Sequence, residues 1–314
     1  MKNDRILADG IAVSNDTNST GFNNNDLIIG SSGSGKTGGY VIPNLQNLND
    51  SIVVSDTKGR LTKMFSKLLR DKGYRVCTID LVNPKKSCGY NPLNGIRRYK
   101  NGKYREQDVL TLASNIVPML DVVEPFWEQA AAGYIAFLIA CCLETLPPEE
   151  QNMISVCKLH TRFVKPGGNL SFMKWAETHK NSYAAKKYTR LSSSITAEKM
   201  WSSILEFANR ALEPFDFEEA RTIFENPDSF DISSLGKEKI ALFLNVSDTD
   251  RTFDQLANIF YTQALQILCS MADSRSDGHL KMPVRIIMDD FCRQCKDSGF
   301  GQNNFRYQVK GHFR

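Results

Sequence analysis

The sequence predicts an α/β protein built on a parallel, doubly wound sheet that is interrupted by an all-helical insertion. Three observations carry this expectation. Short β-branched or apolar runs bounded by turn residues recur at residues 26–29, 51–56 and 74–80, with helical periods between them. Strand–helix–strand alternation with short connections implies parallel pairing, because each crossover must return to the same end of the sheet. From about residue 105 to residue 224 the strand signal almost vanishes and helix-period segments follow one another, after which strand patterns resume at residues 239–246 and 284–288.

Taken in order, residues 1–22 are expected to form a polar N-terminal arm, since the stretch up to residue 25 is rich in Asn, Ser, Thr and Gly and keeps no period. Asp26-Leu27-Ile28-Ile29 is the first expected strand, followed by a Gly/Ser loop and a helix to about Leu48. Ser51-Ile52-Val53-Val54-Ser55-Asp56 is the second strand, and Leu61, Met64, Phe65, Leu68 and Leu69 repeat at helical spacing after it. Residues 74–80 give the third strand. Helices are expected over residues 109–120, 126–143, 153–164, 170–178 and 184–212, punctuated by Pro147-Pro148, Pro166-Gly167-Gly168 and Glu213-Pro214. A strand over residues 239–246, a helix over 252–271 and a strand beginning at Val284 complete the pattern.

The Gly/Ser loop carries the chemistry. Gly30-Ser31-Ser32-Gly33-Ser34-Gly35-Lys36-Thr37 fits G-x-x-x-x-G-K-[ST] at every fixed position. Glycines let the backbone wrap a phosphate so that successive N–H groups point at the anion. Lys36 can reach the terminal phosphates, the Thr37 hydroxyl can hold Mg²⁺, and the following helix adds its positive end. The alternative is a plain Gly/Ser turn; the strand pattern before the loop and the helix start after it favour the nucleotide reading. A second acidic feature lies at Asp289-Asp290, directly after the apolar run Val284-Arg285-Ile286-Ile287-Met288. Adjacent carboxylates at a strand's carboxyl end repel unless a cation sits there, so Asp289 is the candidate metal support and Asp290 the candidate base for an attacking water. The bland alternative is an acidic turn that caps the strand.

Composition adds limits. The 314 residues have room for one large or two ordinary domains. The net charge of +4 lies in residues 292–314, where five Lys and Arg face Asp297 alone, so charge by itself argues nothing about nucleic acid. Eight cysteines, mostly scattered among apolar neighbours, read as reduced core residues, and Cys292-x-x-Cys295 lacks the second pair of a zinc site. The longest apolar run, about 14 residues ending at Leu143, is shorter than a membrane span and reads as a buried helix. With no signal-peptide core after Met1, the chain reads as cytoplasmic.

The ordered motifs resemble a family. The loop at residues 30–37, Asp56-Thr57-Lys58-Gly59, Tyr90-Asn91-Pro92-Leu93, Phe126-Trp127-Glu128, Ser247-Asp248-Thr249-Asp250-Arg251-Thr252-Phe253 and Ile287-Met288-Asp289-Asp290-Phe291 look like TraG/TraD-type coupling ATPases of type IV secretion. The resemblance runs from about residue 20 to residue 291. It implies a RecA-like P-loop NTPase domain with an inserted all-α domain, ATP and Mg²⁺ as cofactors, and a homo-hexamer at the cytoplasmic face of a bacterial membrane. Its implied partners are a relaxase, single-stranded DNA and secretion-channel proteins. The division then reads: arm, 1–22; nucleotide-binding domain, 23–104 and 231–291; all-α insertion, 105–230; a tail outside the family pattern, 292–314. Family members usually begin with transmembrane helices, which do not precede the loop here, and usually carry an acidic residue where Arg60 stands and often Glu where Asp290 stands. Codons that could encode the tail, read one nucleotide later, permit a family-like continuation, so a frameshift after Phe291 is expected. Two functions follow: an ATP-driven DNA-transfer motor, with basic segments around Arg97-Arg98-Tyr99-Lys100 and Lys186-Lys187-Tyr188 as candidate DNA contacts and Arg251 as a candidate arginine finger, or a catalytically dead nucleotide-binding remnant. A small-molecule kinase is disfavoured by the long helical insertion.

Overall fold

The computed structural model describes residues 4–57, 59–117 and 125–289. Asp290 and the tail from residue 292, including Cys292, Cys295 and the frameshift expectation, lie outside the described residues.

The chain opens with an antiparallel hairpin, β1 (Asp4–Ala8) and β2 (Ile11–Ser14), and a single turn α1 (Thr17–Thr20). The expected shapeless arm is therefore corrected. Asp9-Gly10 between two apolar-containing runs is the two-residue hairpin signal, and Gly10 takes the left-handed φ of 69° that such a turn requires. A π-turn at Thr37–Val41 leads into α2 (Ile42–Gln46), followed by β3 (Ser51–Asp56), α3 (Arg60–Asp71) and β4 (Arg75–Asp80).

The helical stretch comprises α4 (Glu106–Ile116), α5 (Phe126–Thr145), α6 (Met153–Val164), α7 (Gly168–Thr178), α8 (Tyr183–Thr196), α9 (Glu198–Leu212) and α10 (Glu218–Phe224). Then come β5 (Ile240–Asn245), α11 (Asp254–Asp273) and β6 (Val284–Ile287). The single helix expected over residues 184–212 is two, broken at Ala197. Ser192 and Thr196 bond back to the carbonyls of Thr189 and Ser193, an alternative to helix continuation that short hydroxyl side chains offer.

Strands β4, β5, β3 and β6 pair in that order, all parallel. Side chains alternate between two cores, as a sheet covered on both faces requires. Ile52, Val54, Ala241 and Phe243 pack with Leu45, Leu61, Phe65 and Leu69 of α2 and α3. Val53, Ile240, Leu242 and Leu244 face α11 and the helical stretch, which shares one continuous core with the sheet. Helix α5 sits at its centre. It is long and apolar enough by composition to cross a membrane, yet 72% of its most apolar window is buried inside the fold.

The expected first strand is also corrected: residues 26–29 are not in the sheet, and Leu27 and Ile29 are 66% and 86% exposed. A strand needs a ladder partner. The Asp26 carboxylate is instead held by Arg5 and Tyr40, which ties the segment to the hairpin and the loop helix, and the outer edge of β6 has no partner strand among the described residues.

Inside the helical stretch, the His160 imidazole bridges Tyr134 Oη (2.9 Å) and Asn209 Oδ1 (2.7 Å), so Nε2–H donates and Nδ1 accepts. Burial pushes this imidazole below the usual histidine range, against the opposing pull of Asn209 and Asp216. The fold thus holds the neutral ring, and its contribution is complete above about pH 6.5 and is lost as pH falls below that value. The urea midpoint is expected to fall between about pH 7.5 and about pH 5.5, and the fall to shrink in His160→Gln. An equal fall in the variant would contradict this assignment.

Candidate nucleotide-binding site

The parallel strands all end on one edge, and their last residues turn polar there. In register, Asp80, Asn245 and Asp56 stand side by side, and Asp289 follows β6 at the same level. This is the edge at which open parallel sheets bind ligands. Asn245 donates to Asp80 Oδ2 (3.2 Å) and accepts from Thr62 Oγ1 (3.1 Å). Asp56 accepts from the Arg60 and Thr62 backbone N–H groups at 2.9 and 2.8 Å and from Thr62 Oγ1 at 3.0 Å. Its carboxylate starts α3, where an N-terminal anion is favourable. The family motif that begins at Asp56 therefore builds a helix start at this edge.

The loop at residues 30–37 lies beside it. Gly33 and Gly35 take φ of 79° and 84°, a region costly for any residue with a Cβ. A Cβ on Gly30 would meet Ser34 Oγ at 2.3 Å, so a side chain there would force the Ser34 hydroxyl to turn away. Ser34 N–H closes a turn onto the Ser31 carbonyl at 3.2 Å. Lys36 folds over the loop, its Nζ donating to the carbonyls of Gly30 (2.9 Å) and Ser31 (3.0 Å). Residues 30–35, with Ser31 and Ser32 among them, are exposed, while Lys36 and Thr37 are half-buried.

Thr37 joins the two halves. Its Oγ1 donates to Asp289 Oδ2 at 2.7 Å, and Ser55 Oγ on the neighbouring strand donates to the Asp289 carbonyl at 2.9 Å. The phosphate-loop hydroxyl and the acidic strand end, the two predicted metal-supporting groups, are thus brought together. A hydroxyl and a carboxylate oxygen at this separation are a hard, oxygen-donor pair of the kind Mg²⁺ takes, and a glycine cradle with a lysine at its mouth suits a polyphosphate. The residues present fit both groups.

The other predicted candidates have these neighbours. Arg97 forms a two-pronged pair with buried Asp108, both bonds at 2.7 Å, which fixes the entry to α4. Lys187 lies 5.5 Å from the centroid of the Tyr183 ring. Arg251 pairs with Asp254 three residues on, at 2.8 Å. Tyr90-Asn91-Pro92-Leu93 is a structural turn: Asn91 caps it, and buried Tyr90 donates to Gln263 of α11, which donates to the Pro92 carbonyl. Reasoning from sequence missed Ser55, because a serine within a strand carries no signal of its own, and it missed Arg5, Tyr40 and Asn44, which surround the base of the loop.

Comparison with known proteins agrees with this architecture. The family described as "Type IV secretory system Conjugative DNA transfer" matches residues 2–295. Protein VirD4 of Agrobacterium fabrum strain C58 is 22% identical over 270 residues, covering 84% of this chain and 38% of VirD4. Protein VirD4 of Rhizobium rhizogenes is 21% identical, with 84% and 38% covered. The chain thus spans well under half the length of these relatives. The bacterial conjugative coupling protein TrwBdeltaN70, in its unbound monoclinic form, superposes with a TM-score of 0.60 at 18% identity, covering 93% of this chain and 61% of that one, and so shares its fold.

Thr37→Val removes the hydroxyl at nearly constant volume. Losing a hydrogen bond to a carboxylate at this half-buried position is expected to cost about 1–2 kcal/mol in urea denaturation. An unchanged midpoint would show that the bond carries no load in the folded chain.

Proposed function

The chain belongs to the type IV secretory system conjugative DNA transfer family, and on that premise we propose that it is an ATP-binding coupling subunit whose hydrolysis of ATP drives relaxase-bound single-stranded DNA into a secretion channel. The observation that carries this reading is the bond between Thr37 and Asp289, which puts the phosphate loop and the acidic strand end in one site.

In the proposed reaction, residues 30–35 present backbone N–H groups to the phosphates, and Lys36 exchanges the carbonyls of Gly30 and Ser31 for phosphate oxygens. Thr37 and Asp289 would hold Mg²⁺, which would neutralise charge on the phosphoryl oxygens. Ser55 keeps Asp289 at the height of the strand ends. Asp290 is the proposed base for the attacking water. As one carbon shorter than Glu, it reaches less far, and hydrolysis is therefore more exposed to misplacement than binding. A homo-hexamer at the cytoplasmic face of the membrane, with relaxase and channel proteins as partners, belongs to the same proposal.

One observation favours a second reading, nucleotide binding without turnover: residues 26–29 stand outside the sheet, so the segment entering the loop lacks strand support. ATP turnover by the purified chain separates the two. The motor reading expects hydrolysis that single-stranded DNA stimulates and Lys36→Ala abolishes. Turnover no higher than that of Lys36→Ala, with Mg·ATP still bound, establishes the second reading.

A further inference from the structure

The N-terminal hairpin makes contacts that a passive arm would not need. Arg5, on β1, carries a guanidinium and yet is 6% exposed. Burying such a charge is unfavourable unless its donors are satisfied. They are satisfied by the segment that enters the phosphate loop: Nε donates to Asp26 Oδ1 at 3.0 Å, Nη2 to the Asn23 carbonyl at 3.0 Å, and Nη1 to Asn24 Oδ1. The other Asp26 oxygen accepts from Tyr40 Oη at 2.9 Å. Tyr40 belongs to the π-turn that leaves the loop. One carboxylate thus joins the chain entering the loop to the chain leaving it, and closes a ring at the loop's base. Burial, and next the Asp26 charge, keep the Tyr40 phenol protonated by raising it above the usual tyrosine range.

A second clamp lies one helical turn further on. Asn44, 1% exposed, meets β1 edge-on: it accepts from Ile6 N–H (3.0 Å) and donates to the Ile6 carbonyl (2.7 Å). It also donates to the Tyr40 carbonyl at 2.7 Å and accepts from Arg285 of β6 at 2.8 Å. The hairpin is therefore bonded to both sides of the loop and, through Asn44, to β6, the strand that Asp289 follows.

Within the loop itself, the Ser34 turn and the Lys36 bonds to the Gly30 and Ser31 carbonyls are local. Residues 30–35 are exposed and include three glycines, and ordering such a segment at the moment of binding opposes affinity. We propose that the hairpin is a brace that preorganises the phosphate loop, with Arg5, Asp26 and Tyr40 as positioning residues that set nucleotide affinity. The proposal rests on the nucleotide-binding reading above and adds to it a role for residues outside the phosphate-binding motif.

The test compares wild-type protein with Tyr40→Phe, which removes one hydroxyl, and Asp26→Asn, which breaks the ion pair with Arg5. Calorimetry gives the Kd for Mg·ATP, a thermal melt gives Tm, and amide hydrogen exchange over residues 30–37 is followed without nucleotide. Both variants are expected to bind Mg·ATP about tenfold more weakly and to exchange these amides faster, with Tyr40→Phe nearly unchanged in Tm. Variants with wild-type Kd and exchange overturn the brace, and so does a fall in Tm that leaves both unchanged. If wild-type protein binds no Mg·ATP, the nucleotide reading fails, and a brace acting on nucleotide affinity fails with it. The exchange rates then show separately whether the hairpin orders the loop.

Discussion

Thr37 and Asp289 are 252 positions apart in sequence and share one hydrogen bond of 2.7 Å. Much of the architecture serves that meeting. The parallel sheet brings every strand to a common carboxyl edge, β3 places Ser55 to hold the Asp289 carbonyl, and the turn after the loop delivers the Thr37 hydroxyl. The long helical stretch is spliced between β4 and β5 without disturbing this edge, because it packs on the face opposite α2 and α3. The site is thus the product of a topology, and the motif at residues 30–37 is one of its two halves.

The core strands and the long helices could be read from the chain because their signals are local. Ser51–Asp56 and Ile240–Asn245 are short, β-branched or apolar runs buried on both faces, and Met153–Val164 keeps a helical period from its Asn152 cap to its end. Residues 26–29 show the limit. An apolar run states that a segment can be a strand, but not that a neighbour is there to pair with it, and here side-chain bonds to Asp26 hold it elsewhere. The hairpin shows the opposite case. Asp9-Gly10 announced it, but the polar composition around it outweighed a two-residue signal.

The loop, Lys36, Thr37 and Asp289 stand out in the sequence because the pattern expected of a phosphate and metal site demands particular residue types at fixed spacing, and the structure brings Thr37 and Asp289 together. Ser55, Arg5, Tyr40 and Asn44 do not stand out, since their roles depend on partners distant in sequence. The basic segments teach a related lesson: Arg97 looked like a surface cation, yet its guanidinium is spent on Asp108, a buried carboxylate that would be costly to leave unpaired. Cation-rich sequence does not by itself define a nucleic-acid surface.

In the proposed reading Thr37 and Asp289 form one metal-dependent nucleotide site with the glycine loop. Calorimetric titration of a non-hydrolysable ATP analogue, with and without Mg²⁺, tests it most directly. Mg²⁺ is expected to tighten binding by about tenfold or more, since Thr37 and Asp289 would hold it and it would offset the phosphate charge. Equal affinity with and without the metal would contradict it.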